Sequence, residues 1–402
     1  MKILVVNCGS SSIKYKLYEM ENHSVIAAGG IEKVGIEGSF LKVTLPDGTK
    51  RVIEHECPTH SEGIRLMFKT LLDPEIGAIK SLDEISAAGH RIVAGGIFTK
   101  SQIVSDEMIE QWKPFMELAP LHSEAHLKGY LAVKEQLPDL PQVFVFDTAF
   151  HQTMPPKAYM YALPYRYYSE MRIRRYGAHG TSHRYVTQRA GEFLNMKPEE
   201  HRFITCHIGN GASISAVDHG KCVDTSMGLT PLEGLMMGTR TGDIDASAIL
   251  YIMEREHQTL EEAVNLLNKE SGVLGITEMS SDMRIIDDAA MAGNERAQLA
   301  LDMYDYRIKK YIGAYAAAMN GVDAIIFTAG VGEHQWDVRE EACKNMEYLG
   351  VKLDFEKNRK NFGEEEIIST PDSKVIVAVI PTDEELLIAK DTEELLIYSW
   401  SY

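Results

Sequence analysis

Residues 1–20 read MKILVVNCGSSSIKYKLYEM, and they predict two β-strands joined by a small polar turn. The apolar run before the turn and the alternation of apolar and polar residues after it are typical of strands. Glycine and hydroxyl groups fill residues 7–12, where backbone N–H groups can converge on an anion. Ser10, Ser12 and Lys14 are therefore candidate phosphate contacts. The segment is not a Walker loop, because the chain returns as a strand, and an ordinary hairpin tip is the alternative.

The same design recurs at residues 203–218, which read FITCHIGNGASISAVD. An apolar strand runs into a turn containing Asn210 and Gly211, and a second strand follows. The two strand–turn–strand units each open about half of the chain. This repetition predicts a duplicated domain that binds a nucleotide between its halves.

Composition limits the class of protein. The chain has 402 residues, so it exceeds the roughly 250–300 residues at which one core stops growing, and two or more domains are expected. Its formal charge of −18 opposes nucleic-acid phosphates and anionic lipids, so we expect neither as a partner. An anionic substrate must instead be held by a local concentration of Arg, Lys and backbone dipoles.

The five cysteines show no C-x-x-C spacing and are expected to be buried thiols in a reducing cytoplasm. No apolar run approaches the roughly 20 residues that span a bilayer, and no secretory segment opens the chain. These patterns predict a cytoplasmic protein.

Strand-like and helix-like segments alternate along the chain, which predicts a mixed α/β layer architecture. Strands are expected at residues 25–28, 40–45, 51–54, 142–146, 324–328 and 374–380, and helices at 61–72, 124–136, 182–196 and 295–320.

Three charged side chains stand at positions that suit ligand binding. Asp147 follows a buried strand, where α/β folds bind ligands, although a turn cap is equally consistent. Arg91 has glycines on both sides, and Arg240 lies in the long glycine-rich loop 224–243. Glycine lets a ligand approach the backbone, and a guanidinium offers a planar fork for carboxylate or phosphate. A lone arginine is more often a surface residue, and His122 is more often structural than catalytic.

Two further segments suit phosphate. We expect Ser182 to cap a helix, which would put His179 and Gly180 just ahead of its N-terminus, a favourable place for a phosphoryl group. A capping loop with incidental histidines is the alternative. Residues 329–333 read AGVGE and predict a glycine turn that leads into a helix and can approach a nucleotide closely.

Together these segments resemble the acetate and propionate kinase family, which belongs to the superfamily of sugar kinases, actin and Hsp70-type ATPases. The resemblance covers essentially the whole chain. Its motifs are residues 7–14 (NCGSSSIK), 89–91 (GHR), 118–122 (LAPLH), 146–151 (FDTAFH), 174–183 (RRYGAHGTSH), 207–211 (HIGNG), 230–240 (TPLEGLMMGTR) and 382–386 (TDEEL).

The resemblance implies two duplicated ribonuclease H-like α/β domains around a nucleotide cleft. Residues 1–150, completed by a C-terminal helix at 383–402, would form the acyl and phosphate side, and residues 151–382 the nucleotide-binding domain. It also implies a homodimer that transfers the γ-phosphoryl group of ATP reversibly to a short carboxylate. The carboxylate attacks directly, with Mg²⁺ or in its place Mn²⁺, and the products are an acyl phosphate and ADP.

The resemblance also assigns roles by position. The catalytic groups would be Arg91, Asp147, His179 and Arg240. The carboxylate would meet Arg91, Val93, Leu121, Ala178 and Pro231. Nucleotide and phosphate contacts would come from Ser10, Ser12, Lys14, His207, Asn210, Gly211, Asp282, Met283, Arg284 and Gly330. Asn7 and Glu384, near Asp147, would serve Mg²⁺, whose usual ligands are oxygens.

The departures from the family pattern concentrate at the acyl and nucleotide sites. Ala178 replaces the usual Phe, which suggests room for a longer acyl group such as propionate or butyrate. The remaining departures are Ala94 for His, Ser123, Glu124 and His126 for Asn, Pro and Asn, Thr241 for Ser, Ala246-Ser247 for Pro-Ala, and His334-Gln335 for Asn-Ser. A nucleotide-binding sensor without activity is one alternative. A sugar kinase is less well supported, because two isolated arginines suit an anionic acceptor better than a hydroxyl group.

Overall fold

The structure is a computed structural model that describes residues 1–45 and 47–399, apart from the side chains of Leu121 and Ser399. The chain divides into two compact units. Of the described residues, those in 1–149 and 383–399 form the first unit, and residues 150–382 form the second.

The strands of the described chain are β1 (Lys2–Cys8), β2 (Ser12–Glu19), β3 (Ser24–Glu32), β4 (Phe40–Thr44), β5 (Lys50–Glu54), β6 (Ile85–Ile92), β7 (Gln102–Ile103), β8 (Gln142–Phe146), β9 (Arg202–Ile208), β10 (Ala212–Asp218), β11 (Lys221–Thr225), β12 (Ala324–Thr328), β13 (Glu366–Ile367) and β14 (Ile376–Val379). The α-helices are α1 (His60–Leu71), α2 (Asp106–Trp112), α3 (Pro120–Gln136), α4 (Pro156–Tyr159), α5 (Arg166–Ser169), α6 (Gly180–Leu194), α7 (Ala246–Glu256), α8 (Leu260–Lys269), α9 (Gly272–Thr277), α10 (Met283–Met291), α11 (Glu295–Ala318), α12 (Ala329–His334), α13 (Trp336–Cys343), α14 (Phe355–Lys360) and α15 (Glu384–Ser399).

The two units repeat one sheet topology. The first has strand order β5-β4-β3-β2-β1-β6-β8-β7, and the second has β11-β10-β9-β12-β14-β13. In each, three consecutive strands form an antiparallel meander, β1-β2-β3 or β9-β10-β11. A later strand, β6 or β12, pairs in parallel with the first strand of the meander, and a further strand, β8 or β14, pairs in parallel with that later strand. The predicted α/β class and its duplicated ribonuclease H-like architecture are confirmed.

The uninterrupted apolar run at the start of the chain is explained by burial on both faces of the first sheet. Leu4 and Val6 pack in a cluster with residues of α1 and α3, whereas Ile3 and Val5 pack with α15. Successive side chains of a strand point to opposite faces, so a strand covered on both sides has no polar alternation.

The glycine beside Arg91 serves helix packing instead of ligand approach. A Cβ added to Gly89 would lie 2.7 Å from Ile388 Cγ2 and would collide with Thr392 Oγ1, both on α15. Gly95 likewise leaves room for the Phe146 ring, whose Cγ would be 2.7 Å from an added Cβ. The predicted role of these glycines, access for a ligand, was therefore wrong, although it drew attention to the correct arginine.

Two predicted helix starts were also wrong. Ser182 is not an N-cap, because α6 begins at Gly180 after His179, and the Ser182 hydroxyl instead bonds His207 Nδ1 at 2.7 Å and Thr382 Oγ1 at 2.8 Å. The segment from Ala329 to Glu333 is a short helix instead of a turn. At the start of this helix the Ala329 N–H donates to Glu333 Oε1 at 2.8 Å.

The five cysteines are buried and unpaired, as expected. Within the described ranges, no helix has both the length and the apolar content needed to cross a membrane.

Candidate active site

The first unit gathers polar side chains at the carboxyl ends of its central parallel strands. Asn7 lies in β1, Arg91 in β6, and Asp147 directly after β8. These three strands are neighbours in the sheet, and the Asp147 N–H bonds the Ile92 carbonyl at 2.8 Å. Strand ends of this kind are where open α/β sheets bind ligands.

Arg91 and Asp147 form a buried ion pair. Nε and Nη2 of Arg91 donate to Asp147 Oδ2 at 3.0 and 2.6 Å, and the Asp147 side chain is fully buried. Burial disfavours the charged guanidinium, but Asp147 and then Glu384 outweigh that effect and hold the pKa of Arg91 above its ordinary value. Asp147 is therefore more than a turn cap.

Glu384, at the start of α15, completes this group. Its Oε2 lies 3.7 Å from Arg91 Nε, too far for a hydrogen bond, and is buried with no hydrogen-bond partner among the described residues. Burial raises the pKa of Glu384 to about 7; Arg91 opposes this rise, and Asp147 adds to it. An unpaired, buried carboxylate oxygen is the kind of group that a metal cation satisfies.

This donor set fits Mg²⁺ in a restricted way. The described residues contain no group of three or more His, Cys, Asp or Glu side chains placed to hold a metal. Mg²⁺ does not require one, because it usually keeps several waters and takes one or two carboxylates together with substrate phosphates. Asp147, Glu384 and the amide of Asn7 can supply that share of the ligands.

In the second unit, His179, Gly211 and Arg240 come together. A Cβ added to Gly211 would lie 3.5 Å from Arg240 Nη1 and 3.6 Å from His179 Nε2, so the absent side chain leaves both nitrogens accessible from that point. His179 adopts a left-handed backbone conformation with φ of 57°, which is uncommon outside glycine and frequent at functional sites. Its ring stacks on His207 with 4.1 Å between centroids.

Arg240 differs from Arg91 in having no acidic partner. Nη1 donates to the Pro231 carbonyl at 3.1 Å, and no carboxylate of the described chain lies within ion-pair distance of the guanidinium. Burial lowers its pKa, and no nearby charge offsets that effect. Binding of an anion beside such a partly buried, unpaired guanidinium is favourable, because the anion compensates the charge that burial has removed from water.

A hydrogen-bond network that the sequence did not reveal supports His179. Ser213 Oγ bonds His179 Nδ1 at 2.9 Å and His183 Nε2 at 2.7 Å, and His183 Nδ1 bonds Thr205 Oγ1 at 2.7 Å. Burial, with smaller effects of nearby His151 and His207, holds the pKa of His183 well below its ordinary value, so His183 is neutral. The network fixes the orientation of the His179 ring.

Five of the ten predicted nucleotide and phosphate contacts line one pocket of about 590 Å³ in the second unit; His207 and Gly211 are not among its lining residues. Predicted members of its lining are Asn210, Asp282, Met283, Arg284 and Gly330, and members that the sequence prediction did not assign are Gly209, Gly238, Ser281, Tyr304, Val331, His334 and Gln335. An added Cβ at Gly330 would meet nothing within 4 Å, so this glycine faces open space. The volume falls in the range of small-molecule and cofactor sites.

The predicted hairpin contacts are not part of this pocket. Ser10, Ser12 and Lys14 belong to the first unit, where the turn is closed by a bond from Gly9 N–H to the Ser12 carbonyl at 2.8 Å. Lys14 is exposed.

The predicted acyl contacts fall in both units. In the first, the Val93 N–H donates to His126 Nε2 at 3.3 Å, and Leu121 lies outside the described side chains. In the second, Ala178 is 4% exposed and belongs to the hydrophobic core, with its carbonyl accepting from His151 Nε2 at 2.9 Å. On α3, Ser123 Oγ and His126 Nδ1 are buried and have no hydrogen-bond partner among the described residues.

Known proteins resemble this chain over almost its whole length. A model of the acetokinase family matches residues 2–390. The acetate kinase of Bacteroides thetaiotaomicron is 62% identical over 397 residues, which cover 98% of this chain and 100% of that protein. The acetate kinase of Thermotoga maritima is 57% identical, with 98% and 99% covered.

Solved structures agree. The crystal structure of Porphyromonas gingivalis acetate kinase has a TM-score of 0.95 at 53% identity, and that of a propionate kinase from Francisella tularensis has 0.91 at 39%, each covering 98% of this chain and 99% of the other. The chain therefore belongs to the acetokinase family and is a phosphotransferase of that family.

Proposed function

We propose that this kinase transfers the γ-phosphoryl group of ATP reversibly to a carboxylate oxygen of a short organic acid. The observation that carries the proposal is the group formed by Arg240, His179 and Gly211. In it a partly buried cation, which has no acidic partner in the described chain, stands beside a histidine, and a glycine next to both leaves their nitrogens uncovered. Phosphoryl transfer needs positioning and charge stabilisation, which such a group supplies, and little covalent chemistry from the protein.

In this proposal each side chain has a defined task. Arg240 neutralises charge on the transferring phosphoryl group, and His179 donates a hydrogen bond to it. Arg91, held by Asp147, binds the substrate carboxylate with its planar guanidinium. The substrate carboxylate is itself the nucleophile, so the reaction requires no nucleophilic side chain.

ATP and ADP are the expected co-substrates of the family, and the pocket beside Asn210 is proposed to take the nucleoside. Asn7, Asp147 and Glu384 would hold Mg²⁺, and Mn²⁺ could replace it. The bound cation would offset negative charge on the phosphate oxygens. Ser10, Ser12 and Lys14 are retained as proposed phosphate contacts.

A hydroxylamine trap tests the function. The purified protein is incubated with ATP, Mg²⁺, hydroxylamine and a panel of short carboxylates, with sugars and alcohols as parallel acceptors. We expect hydroxamate from the carboxylates and no phosphorylation of the hydroxyl acceptors. Phosphorylated sugar without hydroxamate would contradict the proposal, and nucleotide binding without any product would favour a sensor.

The proposed metal ligands give a second prediction. Glu384→Ala and Asp147→Asn should raise the Mg²⁺ concentration needed for half-maximal rate more than they change ADP affinity measured without metal, because each removes a carboxylate ligand. Glu385→Ala is the matched control, since Glu385 is the next residue of α15 and bonds Lys16 Nζ at 3.3 Å. An unchanged Mg²⁺ requirement in both site variants would remove them from the metal site.

The acyl group is proposed to be longer than acetate, because Ala178 replaces the usual Phe of the family. One methylene in a hydrophobic pocket changes selectivity by about 1–3 kcal/mol, so kcat/KM should favour propionate, butyrate or a branched acid over acetate by roughly tenfold or more. Ala178→Phe should move the preference back toward acetate across acids of increasing length. An acetate-first ranking in both proteins would show that Ala178 does not set chain length.

The unpaired atoms near Val93 favour a second candidate substrate. His126 Nε2 accepts from the Val93 N–H, and burial together with Arg91 lowers the pKa of His126 to about 3, so the neutral ring carries its proton on Nδ1. This Nδ1–H and the Ser123 hydroxyl are buried donors for which the described residues offer no acceptor. A short acid with a hydroxyl or keto oxygen would satisfy them, so such acids belong in the same panel.

We also propose a homodimer. Helix α7 has no buried residue in the described chain, and large apolar side chains on it and beside it are exposed, among them Leu250 and Tyr251. Contiguous exposed apolar surface commonly marks a protein interface. Light scattering that gives the mass of one 45.0 kDa chain at micromolar concentration would contradict this proposal.

A further inference from the structure

Gln335 lines the nucleotide pocket, and only one of the two polar atoms of its side-chain amide makes a hydrogen bond in the described chain. Its Nε2 donates to Asp287 Oδ2 at 2.6 Å, whereas its Oε1 is buried and has no hydrogen-bond partner in the described part of the chain. An ionised carboxylate only accepts, so the amide nitrogen faces Asp287 and the amide oxygen is the free end.

Gln335 is distinctive among the residues that line this pocket. Of the described lining residues, it is the one with a buried side-chain polar atom that lacks a partner. Asp282 and Arg284 bond each other at 2.6 Å, and the Tyr304 hydroxyl donates to the Gly209 carbonyl at 3.5 Å. An unsatisfied buried acceptor costs roughly 1–3 kcal/mol, so a ligand that presents an N–H group there is favoured.

Gln335 Oε1 lacks a hydrogen-bond donor, so a ligand that satisfies it must present an N–H or O–H group. In an adenine nucleotide the exocyclic 6-amino group is the base's hydrogen-bond donor, and the ring nitrogens accept. We propose that Gln335 Oε1 accepts a hydrogen bond from the 6-amino group of adenine and thereby favours adenine over the same purine ring without that amino group. Asp287 acts as a positioning residue that holds the amide in the required orientation.

The inference deepens the proposed function, because it concerns the base of the nucleotide that the kinase uses. It can nevertheless be tested without turnover. Isothermal titration calorimetry measures the dissociation constants of ADP and of purine riboside 5′-diphosphate, which has the same ring system without the amino group. Because burial and nearby Asp337 raise the pKa of Asp287 to about 7, the titrations are run at pH 8, where this carboxyl group is largely ionised.

We expect the wild type to bind ADP roughly tenfold more tightly than the analogue, the size of one hydrogen bond to an otherwise unpaired group. Gln335→Leu and the shorter Gln335→Ser should bind both nucleotides equally. Gln258→Leu is the matched control, because Gln258 Nε2 also donates to a carboxylate, that of Glu256, and its Oε1 also lacks a partner, but it does not line the pocket. This control should keep the wild-type preference.

Equal binding of the two nucleotides by the wild type would overturn the inference, and so would a preference retained in either Gln335 variant. If Gln335→Leu does not fold, Gln335→Ser and the wild type still decide. A chain that prefers ADP in this titration but yields no acyl phosphate would contradict the proposed function and leave the role of Gln335 intact.

Discussion

Replacing Arg240 by alanine is expected to lower kcat by about 10²–10³, or about 2.7–4 kcal/mol, the loss seen when one donor that stabilises transition-state charge is removed. The expectation follows from the partly buried guanidinium, which has no acidic partner in the described chain, beside His179 and Gly211. The fold should survive, because among the described residues the Arg240 side chain donates only to the Pro231 carbonyl and the Met237 sulfur. Steady-state kinetics with the preferred carboxylate measure the effect.

Three further variants extend this experiment. Arg240→Lys keeps the charge and loses the planar fork, so its rate should lie between those of alanine and wild type. Arg307→Ala is the control in the same unit, since within the described ranges the Arg307 guanidinium donates to the Gly234 and Asp243 carbonyls alone, and the kcat of this variant should change little. Arg91→Ala should lower kcat by a similar factor to Arg240→Ala. Near-wild-type turnover in both Arg91→Ala and Arg240→Ala would show that the proposed catalytic residues are wrong.

The second large effect is expected from Arg339→Ala, which should lower the free energy of unfolding by roughly 3–5 kcal/mol, as when one member of a buried polar network is removed. The Arg339 side chain is fully buried, and burial lowers its pKa to about 10. Its guanidinium donates to the Gly332 and Glu333 carbonyls at 3.0 and 2.7 Å, and to Asn358 Oδ1 at 2.8 Å. Truncation would leave these acceptors buried and unpaired.

Nucleotide binding should weaken in the same variant, because Arg339 supports α12, whose Gly330 and His334 line the nucleotide pocket. Denaturant unfolding and ADP titration measure the two effects. Arg359→Ala is the surface control, since Arg359 is half exposed in its ion pair with Glu340, and should change stability by less than about 0.5 kcal/mol. Equal stability of the two variants would show that the buried network is dispensable.

Local patterns in the sequence predicted the elements well and the long-range contacts poorly. The hairpins at β1-β2 and β9-β10 were recognisable because period-two alternation and glycine turns act over a few residues. The prediction that Ser182 is an N-cap was wrong because it, too, used local pattern alone. Its type favours a cap locally, but bonds to His207 and Thr382, distant in the sequence, use its hydroxyl instead.

In the candidate site, too, local features could be predicted from the sequence and long-range contacts could not. Arg91, Arg240 and Asp147 could be selected from their place in the sequence, because charged residues among glycines or after buried strands are few. The bond from Ser213 to His183, the network around Arg339 and the half-used amide of Gln335 join residues that are distant along the chain. No spacing rule marks such pairs, so they required the structure.

The most direct test of the central claim is ³¹P NMR of the reaction of ATP and Mg²⁺ with a short carboxylate labelled with ¹⁸O in both oxygens. If the carboxylate attacks the γ-phosphorus itself, the acyl phosphate must carry one ¹⁸O bonded to phosphorus, which shifts its resonance from that of the unlabelled product. We predict an acyl phosphate whose phosphorus carries this label in full. Acyl phosphate without ¹⁸O on phosphorus, or release of ADP and inorganic phosphate with no acyl phosphate, would contradict direct transfer to a carboxylate.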